Sequence, residues 1–343
     1  MQWLAPGIGS LCCVAFAWRW HMKNQPQPRL GRAVDLSFAV HRGGGAECYE
    51  NTILAFRHAV SLGATHLEMD VHLTRDGKVV VVHDDSLVRL CGKNVRVRDL
   101  RLSELPPLLP ASQLLLPPPF HAATKTLQNS LDELSLNISG AEEDRRIPLL
   151  EEVFAEFKDA GVSFNIDLKR IDDDEAVASL VRETGQLIRK YGLTERVVWG
   201  STAARHSLHC HSEFPDIPLF FSLKRVAMLL LCYTFGLLWA LPVHEGYLEI
   251  PLFAPKQEER LLLPRLGPYS EWKWYVKLLV RWYTWATSQH SLYHQLHQRG
   301  VRVCFWVLND ASEFTFAQTL PAHGLMTDCP TYFVRHAETA RGL

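Results

Sequence analysis

The stretch HLEMDVHLTRDGKVVVVHDDSL, residues 66–87, decides how the chain is read. Side chains alternate along a strand, so Leu67, Met69 and Val71 share one face while Glu68, Asp70 and His72 share the other. Two carboxylates on one buried face repel each other, and that face is costly unless a cation or protons neutralise it. Alone, a Glu-x-Asp pair reads as an ordinary solvated edge. It gains weight from SFNIDLKR, residues 163–170, where Asn165, Asp167 and Lys169 alternate with Phe164, Ile166 and Leu168. KVVVVHDD, residues 78–85, brings in His83, and FAVHRGGG, residues 38–45, brings in His41 and Arg42. In each case an apolar strand carries its polar groups toward its C-terminal end.

Runs rich in β-branched residues recur near 36–41, 65–71, 78–83, 163–169, 196–201, 217–222, 247–251, 301–308 and 324–327, separated by helical patterns. Alternating strand and helix implies a parallel sheet buried on both faces. The expected fold is α/β, a TIM (β/α)8 barrel over residues 36–335, with its chemistry at the C-terminal strand ends. Nine runs are one too many, and the surplus is expected near 217 or 247. Asn51 and Thr52 open a helix in which Ile53, Leu54, Phe56, Ala59, Val60 and Leu62 follow a period near 3.6, and Gly63 stops it. Residues 106–146 begin PPLLPASQLLLPPPF, a composition that blocks helix and ladder alike, and read as a loop insertion.

Lys and Arg number 36 against 37 Asp and Glu, and no basic patch interleaves with stacking aromatics, which argues against nucleic acid. The eight cysteines show no C-x-x-C pair and read as small core residues or free thiols.

Two apolar stretches point to a membrane. Residues 1–18 carry no charge and precede Arg19, His21, Lys23, Arg29 and Arg32, so 1–20 reads as an N-terminal membrane anchor. A signal sequence competes, through Ala15-Phe16-Ala17. The basic flank favours a cytosolic main domain, whereas Asn137-Ile138-Ser139 is a sequon usable only in a lumen. Localisation is expected at an internal membrane such as the endoplasmic reticulum, with the side left open. The second stretch, Val226 to Val243, spans eighteen uncharged residues, about 27 Å as a helix, short of a ~30 Å hydrocarbon core. A crossing there would split one barrel across two compartments, so 226–243 is expected to be a re-entrant or interfacial membrane-docking insertion beside the mouth. EWKWYVKLLVRWYTW, residues 271–285, supports this, with Lys273, Lys277 and Arg281 on one stripe among interfacial aromatics.

HRGGGAECYENT, LEMDVHLTRDGKVVVVHDDSL, NIDLK, WVLN and LMTDCP resemble, in order, the motifs of the glycerophosphodiester phosphodiesterases, metal-dependent TIM-barrel enzymes. The apolar stretches are similar to the membrane-associated branch that acts on lysophospholipids as a lysophospholipase D. The resemblance implies a metal held by Glu68, Asp70 and Asp167, His41 and His83 as acid/base pair, Arg42 and Lys169 on the phosphate, and Glu50 completing the first loop. It also implies attack by the substrate's own glycerol hydroxyl through a cyclic phosphate. The family often has glutamate where Asp167 stands, so the carboxylate here is one methylene shorter.

The residue types fit this chemistry on their own terms. Hard carboxylate oxygens without cysteine suit Mg²⁺ or Ca²⁺, a guanidinium suits phosphate, and histidines exchange protons near neutral pH. Trp306 and Asn309 are read as lining the substrate mouth, and Glu249 as a weaker site candidate. His72 is given a structural role, Asp84 an orienting one, and His206, His209 and His211 are read as solvated. The expected partners are a lysophospholipid or glycerophosphodiester and a membrane. The alternatives are a phosphodiesterase for soluble, deacylated substrates and a non-enzymatic membrane scaffold with a degenerate barrel. The glycines after His41 lack the G-x-G-x-x-G spacing of a nucleotide fold.

Overall fold

The computed structural model describes residues 28, 30–31, 34–110, 145–253 and 273–341. The expected anchor 1–20, the sequon and most of the 106–146 insertion lie outside the described residues. Within them, no helix is long and apolar enough to cross a membrane.

Strands β1 (Ala39–Val40), β2 (His66–Leu73), β3 (Val79–Val81), β4 (Ser163–Leu168), β5 (Val197–Gly200), β6 (Tyr247–Pro251), β7 (Arg302–Trp306) and β8 (Gly324–Thr327) alternate with helices. Their order is β5-β4-β2-β1-β8-β7-β6, with every neighbour parallel. Parallel bridges Trp199↔Leu219 and Phe220↔Tyr247 close the ring between β5 and β6. Residues 219–220 therefore form the eighth stave. The expectation that the surplus run lies near 217 or 247 is wrong: both belong to the barrel. The surplus is β3, which folds back antiparallel on β2 after the Thr74–Lys78 turn.

HLEMDVHL is buried on both faces, as a parallel stave requires. Its outer residues Leu67, Met69 and Val71 pack in one core cluster with Phe56, Phe154, Phe164 and Ile166. Inside the ring, Ala39, Val198, Phe220, Tyr247, Cys304 and Met326 pack with Val34 and Leu36 as an apolar floor. Polar groups of the inner face thus have protein beneath them and open only toward the mouth. Thr52 caps the helix Ile53–Ser61 by accepting from Ala55 N–H, and Gly63 beyond it adopts φ 84°.

Closure between the first and last staves is reinforced by Glu47. Its buried carboxylate accepts from Thr331 N–H (3.0 and 3.1 Å), Thr331 Oγ1 (2.7 Å) and Tyr332 N–H (3.4 Å), at the start of the helix Pro330–Arg341. A carboxylate is favoured there by the unpaired N–H groups of a helix start.

The apolar run 226–243 is not an insertion. The helix Leu223–Thr234 and the turn Leu238–Ala240 are the crossover between stave 219–220 and β6, with Val226, Leu229, Leu230, Leu238, Leu241 and Val243 in the core beside β6 and β7. The same pattern that suggests a membrane is met here by packing on the barrel. Its outer face nonetheless leaves Met228, Leu231, Phe235 and Trp239 exposed, with Phe235 at 72%. The helix Trp274–Thr287 lies against it: Trp282 Nε1 donates to Thr234 Oγ1 (2.9 Å), and the rings of Tyr233 and Trp285 stand 6.2 Å apart.

One test of the closure is Gly324→Ala. A Cβ at 324 would lie 1.6 Å from Leu36 O, a backbone atom that cannot swing aside. Urea unfolding should show a loss of about 2–3 kcal/mol, the upper range for overpacking; wild-type stability would contradict the packing described.

Candidate active site

β1 ends at the mouth, and the chain turns there through a residue that disfavours the turn. Arg42 takes φ 53°, a left-handed conformation costing about 1–2 kcal/mol outside glycine. In return its N–H points at Glu68 Oε2 (2.8 Å), its Nε stands 3.2 Å from Asp70 Oδ2, and its Nη1 donates to Glu50 Oε1 (3.1 Å). The following glycine is required by packing: a Cβ on Gly43, at φ 75°, would lie 2.7 Å from Ala55 Cβ.

The register of β2 on β4 sets the carboxylates. Asp70 pairs with Asp167 and Glu68 with Asn165, all inward. Lys169 Nζ lies 2.6 Å from both Asp70 Oδ1 and Asp167 Oδ2, and Asn51 Nδ2 donates to Asp70 Oδ2 (2.8 Å). Asp167 Oδ1 is buried with no hydrogen-bond partner. Across the ring, Glu249 on β6 has both oxygens 2.7 Å from Asn165 Nδ2. Burial, with Asp70 beside it, pushes Glu68 up to about 7; burial, with Glu68 and Asp167 nearby, pushes Glu249 up to about 8. Asp70 is buried too, but Lys169 and Arg42 hold it well below the ordinary carboxylate value.

Both histidines are backed by a carboxylate on Nδ1. His41 Nδ1 meets Asp328 Oδ1 at 2.7 Å, which leaves Nε2 on the side of Glu68, 3.8 Å away. Burial opposes a charged His41 ring, but Asp328, aided by Glu68 and opposed by Arg42, holds its pKa above the ordinary value. His83 Nδ1 meets Asp84 Oδ1 at 2.5 Å, and Asp84 Oδ2 accepts from Arg89 Nε (2.6 Å). Arg89 then spans to Glu50 with two further bonds of 2.7 and 2.8 Å. His72 Nε2 donates to the His83 carbonyl (3.2 Å).

The fold thus gathers His41, Arg42, Glu50, Glu68, Asp70, His83, Asp167 and Lys169 at one end of the barrel, with several partners differing from expectation. Glu50 holds Arg42 to Arg89. Asn309 is buried and committed: its Nδ2 donates to Asp328 Oδ2 (3.0 Å), and its Oδ1 accepts from Asp328 N–H (2.9 Å) and Thr327 Oγ1 (3.0 Å). It holds Asp328 rather than lining the mouth. Trp306 is half-buried at the inward end of β7, beside Pro251 of β6. His206 is not solvated but buried, its Nε2 accepting from Ile171 N–H (3.0 Å). Sequence reading gave no role to Asp328, although it follows β8 as the other site residues follow theirs; Arg89, on the single helical turn Val88–Cys91, has no local signal.

The carboxylate set fits a hard divalent cation. Asp167 offers an unserved buried oxygen, Glu68 and Glu249 resist ionising without added positive charge, and all donors are oxygen. Among the described residues, Lys169 occupies the space between Asp70 and Asp167, and no three acidic, His or Cys groups already stand in coordinating geometry.

Two outcomes follow. Asp328→Asn should lower kcat by about 10²–10⁴-fold with little change in KM, because the tautomer and orientation of His41 are lost while substrate contacts remain. Unchanged kcat in steady-state assays would contradict the arrangement. The second concerns pH. Glu68 and Glu249 hold their protons well above 4.5 when folded, so ionising them costs stability as pH rises toward about 7 and about 8. His41, with a raised pKa, adds stability that is present below 6.5 and lost as pH rises through its folded value. Both losses run the same way, and a cation offsets them, so the rise in Tm on adding Mg²⁺ or Ca²⁺ should grow from about pH 5 to about pH 8. A Tm shift that is flat or shrinks over that range in scanning calorimetry would sink this account.

Comparison with known proteins agrees with the geometry. The chain is 37% identical over 291 residues to the lysophospholipase D GDPD1 of Rattus norvegicus, covering 85% of this chain and 82% of that one. It is 30% identical over 347 residues to the human lysophospholipase D GDPD3, covering 99% of this chain and 98% of that one. Among solved structures, an Oleispira antarctica phosphodiesterase in complex with the product sn-glycerol-3-phosphate superposes with a TM-score of 0.57 at 16% identity, over 89% of this chain and 97% of that one, a likeness of fold. The family profile matches residues 41–331, from the first site histidine to the start of the last helix, and the chain belongs to the glycerophosphoryl diester phosphodiesterase family.

Proposed function

We propose that this protein is a divalent-cation-dependent phosphodiesterase of the lysophospholipase D type, converting a lysophospholipid to lysophosphatidic acid and a free head-group alcohol such as choline or ethanolamine. The observation that carries the reading is the pair of histidines, each fixed through Nδ1 by its own aspartate, beside a buried carboxylate set. The named relatives support the substrate class.

Glu68, Asp70 and Asp167 would hold Mg²⁺ or Ca²⁺, which when bound supplies positive charge to the phosphoryl oxygens. The remaining work belongs to the chain. With Nδ1 hydrogen-bonded to aspartate, each histidine presents Nε2 to the substrate. One Nε2 removes the proton of the free glycerol hydroxyl as its oxygen attacks phosphorus, and the other protonates the departing head-group oxygen. The resulting cyclic phosphate is opened by water, with the proton roles reversed. Arg42 contributes a guanidinium held at a fixed angle by Glu50 and Asp70, suited to a phosphate oxygen. Lys169 supplies a second cation, Trp306 a wall of the mouth.

A membrane surface is part of the same proposal. The helix Trp274–Thr287 exposes Trp274, Tyr275, Leu278 and Leu279 beside basic Lys273 and Arg281, a composition suited to a lipid interface. Tyr283, on the same helix, donates to the carbonyl of Pro251 at the mouth end of β6, which ties the exposed surface to the site (2.6 Å). A wholly soluble substrate gives this surface no task, and the intact histidine and carboxylate set gives a scaffold none.

Phosphorus NMR of the products separates these readings. Lysophosphatidylcholine should be cleaved to lysophosphatidic acid in preference to glycerophosphocholine, and cleavage should require the cation. Faster turnover of glycerophosphocholine would favour the soluble-substrate enzyme, and no turnover of either the scaffold. An analogue with its glycerol hydroxyl methylated should resist cleavage, and equal cleavage would rule out the internal nucleophile. His41→Ala should lose at least about 10²-fold in kcat while unfolding as cooperatively as wild type.

A further inference from the structure

The residues proposed above to hold the cation, Glu68, Asp70 and Asp167, leave Glu249 without an assigned role. β6 presents it inward, beside Cys304 of β7, and the Asn165 amide stands 2.7 Å from both its oxygens. Asn165 is the register partner of Glu68 and precedes Asp167 by two residues on the same inward face. A single amide therefore ties Glu249, from three staves away, into the row formed by Glu68 and Asp167.

The row is short of positive charge in a way that hydrogen bonds within it do not remedy. Asn165 is 1% exposed, yet its Oδ1 has no partner. Asp167 Oδ1 is also buried without one. A carboxylate bonded to an amide for support alone would leave no reason for two further unserved acceptors beside it, since orphaned buried acceptors cost about 1–3 kcal/mol each. Lys169 and Arg42 both serve Asp70, and neither makes a hydrogen bond or ion pair with Glu249 or Asn165 among the described contacts. A single hard divalent ion, with several open positions for oxygen, can serve Glu249, Asn165 Oδ1 and Asp167 Oδ1 together. Asp167, with the shorter of the two acidic side chains, reaches less far into the ring than glutamate, and a carboxylate from β6 approaches from the opposite side.

We infer that Glu249 is a further carboxylate of the divalent-cation site, held in place by Asn165 and making a fourth with Glu68, Asp70 and Asp167. The inference rests on the cation-dependent reading above, and its test is binding rather than turnover. Calorimetric titration of the full chain with MgCl₂ and separately with CaCl₂, without substrate, gives Kd for wild type, Glu249→Gln and Glu249→Asp. Glu249→Gln keeps the shape and a hydrogen-bonding partner for Asn165, so its metal-free Tm should equal or exceed that of wild type. Its Kd for the cation that wild type binds should weaken about tenfold or more, and the cation-induced rise in Tm should shrink accordingly. Glu249→Asp should fall between. A wild-type Kd in either variant, folded by circular dichroism, overturns the inference alone, because a merely structural Glu249 would leave binding untouched. Absence of binding by wild type to both ions overturns it together with the cation-dependent reading.

Discussion

The register between β2 and β4 is the constraint on which the site depends. It sets Asp70 beside Asp167 and Glu68 beside Asn165 inside a ring whose floor is apolar, so like charges are concentrated where water cannot screen them. A shift of one residue would turn these carboxylates toward the helices and bring Leu67, Met69 and Val71 inside, so the hydrophobic pattern that builds the core also fixes the charge row. The surrounding groups manage that charge. Arg42 accepts a strained backbone to aim both its N–H and its guanidinium at it, Lys169 bridges two of its members, and Asn51 serves a third contact on Asp70.

The two histidines are linked through this arrangement. His83 leans on Asp84, Asp84 on Arg89, Arg89 on Glu50, and Glu50 on Arg42, which touches the carboxylates facing His41. Charged groups joined in one chain hold one another's geometry, and the loss of a middle member leaves buried charges without partners on both sides. Glu50 is such a member: although burial opposes its ionisation, Arg89 and Arg42 keep its pKa below the ordinary value.

Much of this was legible from residue order because strand alternation is local. Glu68, Asp70, Asp167 and Lys169 are placed by period-2 reasoning on two strands, and the helix after Thr52 by its cap and spacing. The errors came where long-range packing decides. The run 78–83 has the composition of a buried strand, and only its reversal on β2 removes it from the parallel ring. Val226 to Val243 is apolar enough for lipid, but half of that face is consumed by β6 and β7. Asn309 is read as lining the mouth and Glu50 as completing the first loop, but the partners that the fold gives them, Asp328 and Arg89, are distant in sequence or sit on a single helical turn. The space beside Gly43 and Gly44 is taken by Ala55 and Pro330, contacts that residue order does not show.

Glu47 gives the closure between the first and last staves a temporal meaning. His41 and Asp328 stand 287 residues apart in the chain and meet only when β8 docks against β1. The same event delivers the start of the last helix to Glu47, six residues after His41. While the polypeptide is still emerging, the histidine at its beginning has no carboxylate behind it. The contact between His41 and Asp328 therefore forms only with the seal of the barrel, and a chain that stalls or is clipped before its final stave lacks the carboxylate that meets His41 Nδ1.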